Sequence, residues 1–331
     1  MTVDALSDVL NAVRLTGATF FEVAGRAPWV AEAATPDMIL PMVLPGAEHL
    51  ISYHVVTEGR CYARLVDGDP VEIEAGGVVL VCHGDPHLLA SAKSLRSNPE
   101  VAEALPFDAE QLPFYIHYGE GEAVTTRLVC GFLACDARPF NPLLEHLPPM
   151  ITAYDKPGED DGWLSQFIRF AMSESADKRA GGESVLAKLS ELMFIEVVRR
   201  YLDGLPSDRT GWLAGLRDPF VGKALSLMHA QPAHGWTIEE LARGVGLSRS
   251  VMAERFTDLV GMPPMQYLAR WRMQIAASML SGGNATMAVI ANRIGYESEA
   301  AFSRAFKKVV GEPPSTWRRR AEKAAQSVQA A

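Results

Sequence analysis

The sequence predicts an α+β protein with a strand-rich N-terminal half, a pair of helices and an all-α C-terminal domain. Three observations lead to this fold class. Glycine-rich turns separate short apolar segments as far as about residue 135, apolar residues then recur at helical spacing, and one helical pattern occurs twice after Phe220. The 331 residues, 48% hydrophobic and 21% charged, suffice for two domains, and this composition excludes disordered and fibrous proteins.

The N-terminal half has the pattern of a β-barrel or sandwich, because Glu-Gly, Asp-Gly-Asp, Gly-Gly and Gly-Asp turns punctuate it. The polar stretch Ser91–Gln111 contains two prolines and is predicted to be a long surface loop. The predicted strands are Phe20–Ala24, Leu50–Thr57, Arg60–Val66, Pro70–Glu74, Val78–Cys82, Pro113–Tyr118 and Thr126–Phe132.

Two helices are predicted after these strands, at Gly162–Glu174 and Glu183–Leu202. The next segment, Leu205–Arg217, contains proline, glycine and charged residues, which predicts an inter-domain linker. Asp218 and Pro219 then supply a cap and a permitted first-turn proline for the following helix. The apolar stripe of the second helix consists of Val185, Leu189, Leu192, Met193, Val197 and Tyr201.

An internal repeat occupies the C-terminal part. Leu241-Ala242-x-x-Val245-Gly246-Leu247 matches Ile290-Ala291-x-x-Ile294-Gly295-Tyr296 at an offset of 49 residues, and beyond Glu297 the offset becomes 50. The match ends with Pro263-Pro264 and Pro313-Pro314. Each copy therefore predicts a short helix that ends at glycine, a tight turn, a serine-capped second helix and a proline stop, which is a helix-turn-helix.

The second helix of each copy is predicted to turn an apolar face inward, through Met252 and Phe256 or Phe302 and Phe306. The opposite faces are candidate DNA contacts. Those of the first copy are Ser248, Arg249, Ser250, Ala253 and Glu254, and those of the second are Ser298, Glu299, Ala300, Ser303, Arg304 and Lys307.

A single helix is predicted to join the two copies, because Gln266–Ser281 has no helix breaker and would be about 24 Å long. Such a helix would set the distance between two recognition helices that enter successive major grooves, about 34 Å apart. Arg270 and Arg272 on this helix are predicted either to reach DNA phosphates or to form a solvated face.

Charge is divided unequally along the chain. From Phe220 onward there are 14 Lys and Arg against 8 Asp and Glu, a net charge of +6, whereas residues 1–219 have a net charge of −15. A basic domain favours a polyanionic partner such as DNA, because neutralised phosphates release counterions. No apolar stretch approaches the roughly 20 residues that span a bilayer, and no secretory signal is visible, so we expect a cytoplasmic protein with reduced cysteines and no membrane partner.

The segment Asp218–Arg320 resembles the DNA-binding domain of the AraC/XylS family of bacterial transcription regulators. The resemblance rests on the two repeats and on the pattern Ser-x-x-x-Phe-Ser-Arg-x-Phe-Lys-Lys at Ser298–Lys308. It implies that the protein binds two adjacent major grooves and activates or represses promoters. The sequence departs from the family at Glu254, where arginine is usual.

The N-terminal half resembles the cupin-like ligand-binding domain that precedes such DNA-binding domains, through residues 52–59, 76–87, 130–132 and 141–144. Cupin barrels often hold a metal on a His-x-His motif with a later Glu and a second motif that ends in His. Here His49 and His54 are five residues apart and should lie on opposite faces of one strand, whereas His54 and His87 match the motif positions best.

Two kinds of signal remain open for this barrel. One is zinc or copper, with His54, His83, His87 and Cys82 as ligands and Cys61, Cys130 and Cys135 as further soft ligands. The other is a small organic effector, with His54, His87 and Cys61 as candidate contacts. Cys130 and Cys135 also have a spacing that a redox pair could use, and each of these side chains could instead be an ordinary core residue.

The sequence thus predicts a ligand-responsive, sequence-specific transcription regulator that is not an enzyme. Its expected partners are double-stranded DNA, the effector, RNA polymerase and a second copy of the chain bound through Glu183–Leu202. The alternatives are a cupin metalloenzyme, which the interrupted His-x-His motif disfavours, and a non-specific nucleoid protein, which the doubled recognition helix disfavours. The predicted organisation is a sensor barrel at 1–145, a helical dimerisation segment at 146–204, a linker at 205–219, a double helix-turn-helix domain at 220–320 and a tail at 321–331.

Overall fold

The computed structural model divides into two compact units. The sheet unit comprises Leu15–Cys135 and Leu147–Asp203, and the helical unit comprises Met1–Arg14, Asp136–His146 and Gly204–Ala331. The structure describes residues 4–33, 35–43, 47–96, 114–155, 162–177, 179–206 and 209–330.

The sheet unit is a curled half-barrel, which confirms the predicted cupin-like fold. The strands are β1 (Thr16–Gly25), β2 (Val30–Glu32), β3 (His49–Leu65), β4 (Val71–Glu74), β5 (Val78–Val81), β6 (His87–Ala90), β7 (Phe114–Tyr118), β8 (Thr126–Cys135) and β9 (Met150–Ala153). Strand β3 lies at the centre of the sheet and pairs with β4, β5, β6 and β8. The strand order is β2-β6-β3-β8-β1-β7, and β9 pairs with β5. The helices of this unit are α2 (Pro36–Val43), α3 (Trp163–Asp177) and α4 (Gly182–Asp203).

The two strands predicted at Leu50–Thr57 and Arg60–Val66 form the single strand β3. Its pairing with β8 shifts register between Val56 and Glu58, and a bulge of this kind bends a strand so that its two halves can pair differently. Gly59 follows the bulge at φ +72°, where an added Cβ would lie 2.0 Å from the carbonyl oxygen of Thr125. Of the predicted loop at Ser91–Gln111, residues 97–111 lie outside the described residues, as does Pro113.

Both faces of the sheet are covered in its central part. On one face, Phe21, Cys61, Val81 and Phe132 belong to a single buried cluster. On the other face, the hydroxyl of Tyr53 lies 2.7 Å from that of Ser190 on α4. Strands buried on both faces lose the alternation of apolar and polar residues, which explains the continuous apolar runs of β5 and β8.

The helical unit contains both repeats. Its helices are α1 (Ala5–Ala12), α5 (Trp212–Arg217), α6 (Val221–Ala230), α7 (Ile238–Val245), α8 (Arg249–Val260), α9 (Pro264–Gly282), α10 (Met287–Arg293), α11 (Glu299–Val310) and α12 (Pro314–Ala330), with a 3-10 turn at Leu144–His146. The segment 205–219, predicted as a linker, contains α5, because Trp212 is fully buried and donates from Nε1 to the hydroxyl of Tyr267 at 2.9 Å. The tail predicted at 321–331 continues α12 as far as Ala330.

Helix α9 bonds to two segments that are distant in the sequence through one buried amide. The Oε1 of Gln274, which is 0% exposed, accepts from the backbone N–H of Phe140 at 3.0 Å, and its Nε2 donates to the carbonyl of Ala12 at 3.3 Å. Ala12 ends α1, and Phe140 lies in the segment Asp136–His146. This differs from the predicted division of the chain, which assigned both segments to the barrel.

We expect Gln274→Ala to destabilise the helical unit by about 1–3 kcal/mol, because it leaves a buried N–H and a buried carbonyl without partners. Thermal unfolding of the full chain, followed by differential scanning calorimetry, should show the transition of this unit at a lower temperature. Gln266→Ala, at an exposed position of the same helix, is the matched control. Equal transitions for the two variants would contradict the role given to the buried amide.

Candidate DNA interface and histidine pair

The first helix-turn-helix is formed by α7 and α8. Thr237 caps α7 by accepting from the N–H of Glu240, and Ser248 caps α8 by accepting from that of Val251. Between them, Gly246 has φ +83°, the left-handed conformation that lets α7 reverse into the turn. These local signals are the ones that the repeat predicts.

The second helix-turn-helix, α10 and α11, is built in the same way. Thr286 caps α10, Ser298 caps α11 by accepting from the N–H of Ala301 at 3.2 Å, and Gly295 has φ +79°. A Cβ on Gly295 would lie 2.3 Å from the carbonyl oxygen of Ala233, so space as well as conformation requires glycine there. The structure therefore agrees with the predicted pair of helix-turn-helix motifs.

The buried stripe of each recognition helix fixes which side chains point outward. Met252 and Phe256 of α8, like Phe302 and Phe306 of α11, are 0% exposed. Ala253 and Ser303 are half-buried at the edge of these faces. The exposed candidate contacts are Ser248, Arg249, Ser250, Glu254, Ser298, Glu299, Ala300, Arg304 and Lys307.

Two arginines of α8 have carboxylate partners within the helical unit. Arg249 lies 2.9 Å from Glu239 of α7. Arg255 makes a bidentate pair with Asp218, whose Oδ1 also accepts from the N–H groups of Phe220 and Val221 at the start of α6. Burial acts to raise the pKa of Asp218, but its hydrogen bonds and the charge of Arg255 outweigh this and lower it. Neither pair is apparent from the sequence pattern of α8, because the acidic partners lie outside this helix.

The arginines of α9 also have partners within the unit. Arg270, predicted to reach phosphate, lies 2.7 Å from Glu145 and stacks over the ring of Phe140 at 4.2 Å. Arg272 donates to the carbonyls of Pro232 and His234. Each guanidinium is thus half-buried and bonded inside the helical unit.

In the sheet unit, the structure brings His54 and His87 together. Their Nε2 atoms are 2.7 Å apart and both rings are buried. The Nδ1 of His87 lies 2.8 Å from the carbonyl oxygen of Asp85, so this nitrogen carries a proton and Nε2 of His87 is an acceptor. His54 then donates from Nε2, which leaves its Nδ1 as a buried acceptor without a hydrogen-bond partner among the described residues.

This arrangement requires both rings to be neutral. Burial lowers the pKa of His54 well below the ordinary value of 6.5, and the nearby His87 acts in the same direction. Burial also lowers the pKa of His87, against the opposing effect of its hydrogen bond to Asp85. A protonated His54 would place a charge in the buried cluster of the half-barrel, which is costly without a counter-ion.

The other predicted metal ligands do not join this pair. His83 bonds to the carbonyl of Leu147 at 3.0 Å, and its ring lies beside that of His49 with centroids 5.9 Å apart. Burial raises the pKa of Cys61 and of Cys82 to about 12, which keeps both thiols protonated. Within the described ranges, no three His, Cys, Asp or Glu side chains are grouped to hold a metal ion, so the predicted zinc or copper site lacks a ligand set there.

The two cysteines predicted as a redox pair, Cys130 and Cys135, are both buried and are not joined by a disulfide. Burial raises the pKa of Cys130 well above its ordinary value. The thiolate is the reactive form of cysteine, and burial of this kind suppresses it. Of the predicted redox and metal groups, His54 and His87 lie within hydrogen-bond distance of each other.

Comparisons with known proteins agree with both halves of this description. Residues 4–203 match the family model described as Cupin, and residues 241–320 match the one described as Helix-turn-helix domain. A putative AraC-like transcription regulator from Streptomyces lividans is 33% identical over 327 residues, which cover 96% of this chain and 98% of that protein. The HTH-type transcriptional regulator AlkR from Acinetobacter baylyi is 27% identical over 326 residues, 95% of this chain and 99% of its own.

One solved structure is similar to about a third of this chain. The DNA-binding transcriptional dual regulator from Escherichia coli K-12 is 21% identical and covers 33% of this chain and 96% of its own, with a TM-score of 0.30. None of the described helices is long and apolar enough to cross a membrane. Taken together, the family models and the full-length relatives show that this chain belongs to the AraC-type DNA-binding transcription regulators, with a cupin domain before the helix-turn-helix domain.

Proposed function

We propose that the protein recognises a specific DNA site by placing α8 and α11 in successive major grooves on one side of the duplex. The observation that carries this proposal is the pair of recognition helices with exposed outward faces, joined by the continuous helix α9. With 19 residues, α9 is about 28 Å long, which suits a spacer between grooves about 34 Å apart. The exposed side chains of α8 and α11 named above are the proposed contacts, with the half-buried Ala253 and Ser303 at their edge.

The two units have different functions in this proposal. The sheet unit senses the effector, α4 pairs two copies, and the helical unit reads DNA. Residues 4–14 and 136–146 act with the DNA-reading part, because Gln274 binds both segments. Since its target is chromosomal DNA, the protein works in the bacterial cytoplasm and acts on transcription by RNA polymerase.

The effector site is the interior of the half-barrel around His54 and His87. A buried acceptor at Nδ1 of His54 favours an effector that carries a hydrogen-bond donor, because an unsatisfied buried acceptor loses its solvation without compensation. Cys61 belongs to the buried cluster of the same half-barrel and can line the site with a neutral thiol. An organic effector fits these groups better than a metal ion, for which the described residues offer two ligands.

Dimerisation uses the exposed face of α4. Leu192 is 47% exposed there, and an antiparallel pairing of two α4 helices centred on Leu192 would bring each Leu189 opposite Ile195 of the second copy. The same symmetry places Lys188 opposite Glu196. Within its own helix Lys188 also pairs with Glu191, and Glu196 also pairs with Arg199 and Arg200, so a pair across the interface would extend a charge network that exists in each copy. The apolar contact is self-complementary.

Arg304→Ala should weaken binding to the specific site roughly tenfold or more, because it removes a guanidinium from the outward face of α11. The change is at the surface, so the unfolding transition should keep its temperature. Fluorescence anisotropy with a labelled operator selected from random DNA measures the effect, and Arg60→Ala in the sheet unit is the control. Unaltered affinity of Arg304→Ala would show that this face does not contact DNA.

Leu192→Asp should convert the dimer to monomers at micromolar concentration, because it puts a charge at the centre of the proposed interface. Sedimentation velocity measures the change, and Val66→Asp, at an exposed apolar residue off α4, is the control. Lys188→Glu should weaken the dimer and Glu196→Lys combined with it should restore it. A dimer that survives Leu192→Asp rules out this face.

His54→Gln should reduce the pH dependence of stability of the sheet unit. Between the lowered pKa of folded His54 and the value of 6.5, the unfolded chain binds more protons than the folded one, so the free energy of unfolding decreases as the pH falls through this window. Glutamine keeps a donor for His87 but does not titrate. The melting temperature should therefore fall less between about pH 7.5 and 5.5 in the variant than in the natural protein, and an equal fall would show that His54 is not the buried neutral group described.

A further inference from the structure

The two recognition helices present different charges to their surroundings. On α8, the arginines at 249 and 255 are paired with Glu239 and Asp218, and the exposed carboxylates Glu254 and Asp258 remain. The outward residues of α11 include Arg304, Lys307 and Lys308, all exposed. At the centre of its outward face α8 therefore offers the acceptor Glu254, where α11 offers the donor Arg304; the exposed carboxylate of α11, Glu299, lies in its first turn.

Glu254 occupies the middle of the outward face of α8. It lies on the side opposite Met252, Phe256 and Val260, the buried residues of this helix. Within the part of the chain that the structure describes, its carboxylate has no hydrogen bond or ion pair. Burial of such a carboxylate in a DNA groove without a donor would be costly, so a binding site must supply a donor to it.

Few groups in the major groove can donate a hydrogen bond to a carboxylate. Guanine presents only acceptors there, N7 and O6, and thymine presents an acceptor and a methyl group, so both disfavour a carboxylate. Adenine places its N6 amino group beside the acceptor N7, which repels a second acceptor. Cytosine presents the N4 amino group without an acceptor on its major-groove edge, and it is the base to which Glu and Asp bind.

We propose that Glu254 selects cytosine in the half-site bound by α8, by accepting a hydrogen bond from its N4 amino group. This inference rests on the proposed placement of α8 and α11 in the major groove. Arg304 is the equivalent residue of the second repeat, at the offset of 50 residues, and arginine pairs with N7 and O6 of guanine. The two half-sites are thus read at equivalent positions of the two repeats as cytosine and guanine.

The two exposed carboxylates of α8, Glu254 and Asp258, also affect binding to DNA of any sequence. Glu254 and Asp258 stand near DNA phosphates whenever α8 approaches a duplex, so they oppose binding at every sequence. Only a site that offers a donor to Glu254 offsets this repulsion. The first helix-turn-helix therefore contributes to discrimination more than to affinity, and the basic α11 supplies the attraction to phosphates.

The test uses the full chain and selection from a random duplex library, with the natural protein, Glu254→Gln and Asp258→Asn. The natural protein should enrich a site with an invariant cytosine in one half. Glu254→Gln should change that position to adenine, since glutamine pairs with adenine N6 and N7, and should lower the preference for cytosine about tenfold. Asp258→Asn removes the same charge one turn later and should leave the preference intact, while both variants bind random DNA more tightly.

Arg304→Gln identifies the other half-site, because it should alter a guanine there and leave the cytosine unchanged. An unchanged base preference in Glu254→Gln, with specific binding retained, would overturn the cytosine assignment and leave the proposed function intact. A cytosine preference lost equally in Asp258→Asn would overturn it as well, since charge alone would then explain it. Failure of the natural protein to enrich any sequence would overturn the proposed function and this inference with it.

Discussion

The helical unit depends on the buried polar side chains of α9. Gln274 can be buried without loss only if both ends of its amide are bonded, and its two partners come from α1 and from the segment that contains Phe140. The hydroxyl of Tyr267 has the same constraint and lies between Nε1 of Trp212 and Nε2 of His229. Helix α9, which joins the two helix-turn-helix motifs, is therefore held in place by segments that are far away in the sequence.

The local structure of the repeats could be predicted because each signal lies within a few residues. Serine caps, glycine turns and inward apolar pairs at i, i+4 specify a helix-turn-helix without tertiary information. The role of residues 4–14 and 136–146 could not be predicted in this way. Gln274 bonds to Ala12 across 262 residues, and no periodicity links such positions. Trp212 did carry a signal, since a tryptophan is unusual in an exposed linker.

In the candidate sites too, contacts between distant segments could not be predicted from the sequence. The outward faces of α8 and α11 follow from helical periodicity, but the acids that hold Arg249 and Arg255 belong to other elements. The pairing of His54 with His87 was predictable from the motif positions, whereas their protonation pattern follows only from the carbonyl of Asp85. The four predicted metal ligands are not grouped together among the described residues. Sequence spacing alone does not determine toward which neighbours the side chains of β3 and the adjacent strands point.

Two of the residues that bound the helical unit along the chain, Arg14 and Asp136, are bonded to each other. Arg14 makes two hydrogen bonds to the carboxylate of Asp136, at 2.7 and 2.8 Å, and the N–H of Asp136 donates to the carbonyl of Val13. These bonds join the end of α1 to the start of the segment Asp136–His146, and the same two segments hold the amide of Gln274. Helix α9 is therefore held by two segments that are themselves bonded to each other, so loss of either segment would weaken the hold of the other on α9.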